Sequence, residues 1–179
     1  MILLVSTCKY MLSEEEFVEP VAAIVREIGY RYSVRKYYEK INFSKFEKVI
    51  ICGTALKDFD YLKYLDNFKP LLDYSGKVLG ICAGYHILAK IHGASLSSIE
   101  KIGVHEVKVV KENPLVPRGS IQAYFLHTLA LTEANNVIEP LAFHDNEICL
   151  FKVRKKDFYG VAFHPEVLNK NIIIRFIEL

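Results

Sequence analysis

The sequence predicts an α/β fold: an open, mixed, mostly parallel sheet with helices on both faces and antiparallel additions in the C-terminal half. Two observations lead there. Up to Gly93, short continuous apolar runs alternate with segments of helical spacing, which is the pattern of βαβ units. After Gly93, five strand candidates follow one another across turn residues before a last helical segment. A chain of 179 residues fits a single domain, 1–179, that buries its own core.

Residues 2–5 read as a buried strand because all four are aliphatic. Residues 13–28 read as a helix. Ser13 and Glu16 have capping-box spacing, Val21, Ile24, Val25 and Ile28 share a face, and Gly29 supplies a stop. Pro20 fits if the regular helix begins near Glu19, with the proline in its first turn. Residues 30–37 and 48–52 are the second and third strands, and residues 58–73 have helical spacing. A fourth apolar run at 78–81 leads into a helix over 83–91, closed by Gly93. The later strands fall at 104–110, 121–125, 137–143, 147–153 and 159–163, expected as antiparallel additions, and residues 167–179 form the last helix. Leu115-Val116-Pro117-Arg118-Gly119-Ser120 spells a thrombin recognition sequence, and its proline and glycine mark a loop that thrombin is expected to nick if it is exposed.

Composition excludes several classes. With 51% hydrophobic and 25% charged residues the chain is globular rather than disordered. A net charge of +2 gives no footprint for nucleic acid, and no apolar run approaches the ~20 residues of a membrane span. Cys8, Cys52, Cys82 and Cys149 form no CxxC pair, which argues against a zinc site or a disulfide scaffold and for the reducing cytoplasm. No phosphate-binding loop of the GxxxxGK[ST] type occurs, and no cofactor is expected.

The chemistry concentrates in two segments. Val78-Leu79-Gly80-Ile81-Cys82-Ala83-Gly84-Tyr85-His86 runs from an apolar strand through Gly-x-Cys-x-Gly into a helix, the cysteine form of a nucleophile elbow. Such a turn is tight, so its flanking residues must be small. Cys82 then faces a helix N-terminus, where the dipole and free amides favour anionic sulfur, and the Ala83 amide is placed to donate to an oxyanion. The second segment, Tyr159-Gly160-Val161-Ala162-Phe163-His164-Pro165-Glu166, ends a strand in His-Pro-Glu. Pro165 holds His164 extended, so residues 164 and 166 point to one side and the carboxylate can orient the ring. Nucleophile, base and orienter are thus all supplied at strand carboxyl ends, where open α/β sheets build their sites.

These segments resemble the class I (triad-type) glutamine amidotransferases, whose elbow reads Gly-x-Cys-x-Gly-x-Gln and whose histidine lies in Tyr-Gly-x-Gln-Phe-His-Pro-Glu. Ile50-Ile51-Cys52-Gly53-Thr54-Ala55 takes the place of that family's strand ending in Ser-Gly-Gly-Pro, and residues 123–129 resemble its Tyr-His-Ser strand. The resemblance implies a flavodoxin-like architecture, L-glutamine as substrate, and Cys82, His164 and Glu166 as nucleophile, acid/base and orienter. It also implies an oxyanion hole from Ala83 with Thr54 or Gly53, and substrate contacts at His86, His127 and Thr128. Three positions depart from the pattern: Thr54 for glycine, His86 for glutamine and Ala162 for glutamine. Because the chain has room for the glutaminase domain alone, the acceptor-activating activity is expected in a separate synthetase of the GMP synthase or anthranilate synthase type. The alternatives are a stand-alone hydrolase of γ-glutamyl compounds and a weakly catalytic binding subunit.

Overall fold

The structure, a computed structural model, describes residues 1–179. Its first half comprises β1 (Ile2–Ser6), α1 (Met11–Phe17), α2 (Glu19–Glu27), β2 (Tyr32–Lys36), β3 (Lys48–Ile51), β4 (Lys77–Ile81) and α3 (Ala83–Ile91). Its second half comprises β5 (Ser97–Val109), β6 (Gly119–Ala130), β7 (Ile138–His144), β8 (Glu147–Val153), β9 (Phe158–Val161), α4 (Pro165–Leu168) and α5 (Lys170–Glu178). One nine-stranded sheet runs in the order β2-β1-β3-β4-β9-β8-β7-β5-β6. The first five strands of that order are parallel, and the last four are joined antiparallel. The sheet curls into a half-barrel, because β6 at its far edge returns to the centre: Tyr124 on β6 accepts from the His164 amide just beyond β9, at 2.8 Å.

Helices cover both faces. α2, α4 and α5 pack together, and α3 packs against β4, β9 and the segment Asp60–Leu72. The core lies between these layers and the central strands, where Leu3, Leu4, Ile50 and Leu79 are fully buried. Each such side chain contributes about 1.5–3 kcal/mol by leaving water. No helix is long and apolar enough to cross a membrane.

Several elements differ from expectation for identifiable reasons. The first helix begins at Met11, so Ser13 lies inside it and caps nothing; α1 ends at Phe17, and after Val18 α2 carries Pro20 in its first turn. Residues 60–72 form 3-10 turns rather than an α-helix, with a kink at Tyr64 and Pro70 inside. Pro70 removes a donor that an α-helix would need. The last strand, β9, is not one of the antiparallel additions, since it pairs parallel with β4 and only its other edge is antiparallel, to β8. β5 and β6 are far longer than the stretches read from the sequence, and Asn169 divides the terminal helix into α4 and α5. The thrombin-like segment is half anchored: Leu115 and Val116 are buried, and the Asn113 side chain accepts both of their amides. That anchoring opposes the extended conformation cleavage requires.

Candidate active site

Cys82 sits between β4 and α3 with φ 49° and ψ −96°, a strained backbone for a residue with a side chain. The turn is held from both sides. The Cys82 amide donates to Val161 on β9 at 2.9 Å, and its carbonyl accepts the His86 amide at 3.0 Å, opening α3. The two flanking glycines interlock: a Cβ on Gly80 would lie 2.4 Å from the Gly84 carbonyl oxygen, and one on Gly84 would lie 2.2 Å from the Ile51 oxygen. As the first residue of α3, Ala83 has an amide with no intrahelical acceptor. The other thiols are set apart by burial, which pushes Cys8 up to about 11 and also raises Cys52 and Cys149. Those three remain protonated and inert at neutral pH.

His164 follows β9 and Glu166 lies in the first turn of α4. Nδ1 of His164 meets Glu166 Oε1 at 2.7 Å, with both side chains 1% exposed. A carboxylate on Nδ1 fixes that nitrogen as the donor and leaves Nε2, which is buried and makes no hydrogen bond to the protein. Burial opposes a charged ring, but the neighbouring Cys82 and Glu166 side chains prevail and hold His164 well above the ordinary histidine value. The Phe17 and Tyr124 rings flank the imidazole, with centroids 5.5 and 6.4 Å away.

Gly53 brings the third strand into the same place. A Cβ there would stand 2.7 Å from His164 Cε1 and 3.4 Å from Cys82 Cβ, so the glycine is required by close approach. Neither Gly53 nor Thr54 has a positive φ, and threonine therefore sits at 54 without strain. The Thr7 hydroxyl donates to the carbonyls of Cys52 and Gly53 at 2.9 and 3.0 Å. Across planar trans peptides, the Gly53 and Thr54 N–H groups point away from Thr7. The Thr54 hydroxyl donates to Asp58 at 2.8 Å, and Asp58 also accepts the Lys9 and Asp60 amides. Asp58 is a residue that sequence reasoning misses; a carboxylate at the start of a helical pattern is its only signal. Gly53→Ala is expected to push the His164 ring aside and slow alkylation of Cys82 by iodoacetamide about tenfold, since sub-ångström misplacement has that scale of effect. Equal alkylation rates in variant and wild type would contradict the crowding.

The remaining candidates gather on the opposite wall. His86 is buried and fully engaged: Tyr61 donates to Nδ1 and Nε2 donates to the Leu129 carbonyl, each at 2.7 Å. Burial lowers His86 to about 4, which keeps it neutral and fixes those roles. Leu126 on β6 accepts from the Cys82 thiol at 3.6 Å. Both ring nitrogens of His127 turn away, to the Ala162 carbonyl at 3.1 Å and to Glu147 at 3.0 Å. Thr128 lines the cleft beside Cys82 together with Thr54, Tyr61 and Leu126. The cleft itself has a volume of only ≈ 10 Å³, room for about one water. Ala55, Asp58 and Phe59 separate it from a wider cavity of ≈ 480 Å³ flanked by Lys9 and Lys57.

Two neighbouring parallel strands thus deliver a cysteine on a strained elbow and a histidine oriented by a carboxylate, which defines an elbow-cysteine α/β protein. The chain belongs to the class I glutamine amidotransferases, whose family pattern matches residues 13–176. It is 27% identical to anthranilate synthase component 2 of Saccharolobus solfataricus, covering 88% of this chain and 89% of that one. It is 30% identical to a glutamine-hydrolysing GMP synthase subunit of Methanosphaera stadtmanae, covering 70% and 71%. Among solved structures, a Thermoplasma acidophilum protein described as a GMP synthase subunit superposes with a TM-score of 0.84 over 99% of this chain and 93% of that one, at 19% identity.

Proposed function

We propose that this chain is a glutaminase component that hydrolyses L-glutamine to glutamate and ammonia and passes the ammonia to a separate synthetase, of the GMP synthase type in the first instance. The observation that carries the reading is the meeting of Gly53, Cys82 and His164 at the strand carboxyl ends, with Glu166 on the far side of the ring. His164 Nε2 holds the proton it shares with Cys82, leaving sulfur free to attack the side-chain amide carbon. The resulting oxyanion accepts from the Ala83 amide and from Thr54 or Gly53. The C–N bond breaks as His164 gives its proton to nitrogen, and ammonia leaves. Water, deprotonated by the same imidazole, then cleaves the γ-glutamyl thioester. Glu166 keeps the ring in the tautomer that does this and offsets its positive charge.

His86, His127 and Thr128 form the substrate wall, the histidines by positioning the β6 backbone. Ala55 and Phe59 line the mouth of the cleft through which glutamine reaches Cys82. The buried free thiols suit a reducing cytoplasm.

An ammonia-release assay on glutamine tests the reading, run with the chain alone and with GMP synthase or anthranilate synthase acceptor components. Release that rises with one synthetase supports it and names the partner type. Release indifferent to every synthetase indicates a stand-alone γ-glutamyl hydrolase, and no release under any condition indicates a purely binding role.

A further inference from the structure

Beside the catalytic pair lies a second group of charges that the chemistry above does not use. Lys101 on β5, Glu147 at the start of β8 and His127 on β6 meet in the interior. Lys101 Nζ is 2.6 Å from Glu147 Oε2, and His127 Nε2 is 3.0 Å from Glu147 Oε1. Side-chain exposures are 10% for Lys101 and 1% for the other two. Buried charges of this kind are costly unless paired, so their presence in the sheet calls for a reason.

The contacts of His127 supply one. Its Nδ1 faces the Ala162 carbonyl and its Nε2 faces the Glu147 carboxylate, so one ring bridges β6 to the segment after β9 and to β8. Burial pushes the Glu147 carboxyl up, but His127 and Lys101 outweigh it and hold the group below its ordinary value. Ala162 is two residues before His164. The residue before His127, Leu126, accepts the Cys82 thiol, and Tyr124 on the same strand accepts the His164 amide. β6 therefore touches both members of the pair, and His127 is where it is fastened to the segment carrying the base. Lys101 stands directly opposite His127 in the β5–β6 register, so the clamp spans both strands of the hairpin and β8.

We infer that Lys101, Glu147 and His127 form an internal ionic brace that positions β6 and the His164 segment around Cys82. The three are positioning residues: none touches the reacting sulfur, and they act through the carbonyls of Ala162, Leu126 and Tyr124. The brace deepens the glutaminase reading and rests on it for its effect on turnover, while its geometric effect on Cys82 is independent of the substrate.

The test uses Glu147→Gln, Lys101→Met and Lys101→Arg in the full chain. Two rates are measured beside the thermal midpoint: alkylation of Cys82 by iodoacetamide, which needs no substrate, and ammonia release from glutamine. Glu147→Gln is expected to slow alkylation about tenfold and to lower kcat by a similar factor, with KM within about twofold. Lys101→Met is expected to do the same more weakly, and Lys101→Arg, which keeps the charge, is expected to restore wild-type rates. Should Glu147→Gln fail to fold, the two Lys101 variants decide the matter. Alkylation within twofold of wild type in the folded charge-removing variants overturns the brace. So does an equal loss in Lys101→Arg that merely follows its thermal midpoint. Wild-type protein that is alkylated normally but releases no ammonia counts against the glutaminase reading alone, and alkylation still decides the brace.

Discussion

Cys82→Ser is expected to reduce ammonia release from glutamine by about 10⁴-fold or more while the protein melts within a few degrees of wild type. A hydroxyl is nearly isosteric with the thiol, so the elbow, the β9 hydrogen bond and the interlocked glycines remain. What is lost is the proposed nucleophile, and groups that act as a unit lose most of their benefit when one is removed. Glu166→Gln should cost about 10²-fold less than loss of the sulfur does, because it leaves sulfur and imidazole in place and disturbs only tautomer and charge. Parallel measurement of kcat and thermal midpoint for both variants settles the order. A Cys82→Ser protein that retained wild-type turnover would remove residue 82 from its role, and a greater loss at Glu166 would reverse the ranking.

The second large effect falls on stability. Gly84→Ala inserts a methyl 2.2 Å from a backbone oxygen of Ile51, where no flexible side chain can yield. β3 must part from the start of α3, or the elbow must open. Overpacking of this kind costs about 3 kcal/mol at the upper end of the usual range. In a chain of this length that corresponds to roughly 6–12 °C in midpoint. Thermal or urea unfolding of Gly84→Ala against wild type measures it, and a midpoint unchanged within about 2 °C, well under the shift this packing cost implies, would show that the turn is looser than its contacts suggest. Gly53→Ala makes the useful contrast, since the atom it crowds belongs to the His164 side chain. The same chemical change is thus expected to act on folding at one glycine and on reactivity at the other.

How much of the fold and site is legible in the sequence follows from the range of the interactions. β1, β3 and β4 declare themselves because strands buried on both faces are written as unbroken aliphatic runs. The elbow and the His-Pro-Glu segment are legible because each is local, a few residues whose sizes and order carry the geometry. β5 reads too short because Gly103 interrupts it and its outward face alternates Glu100, Ile102, Val104 and Glu106, which blurs the binary pattern. The 3-10 character of 60–72 is invisible because Tyr61, Tyr64 and Phe68 fit α spacing equally well. Lys101 and Glu147 escape notice for a different reason. Their meeting with His127 depends on the register of one hairpin and on the curl of the whole sheet, and neither is written in any short window.

Gly80 lies directly opposite Gly160 in the β4–β9 pairing, and the amide of residue 82 is bonded to the strand that leads to His164. Sulfur and imidazole are therefore held apart by a fixed count of rungs on two adjoining rails. Their separation does not depend on the outline of the molecule. Changes in the exposed turn around residue 145 leave that separation untouched. A scaffold arranged this way can vary at its rim and keep the geometry of its centre.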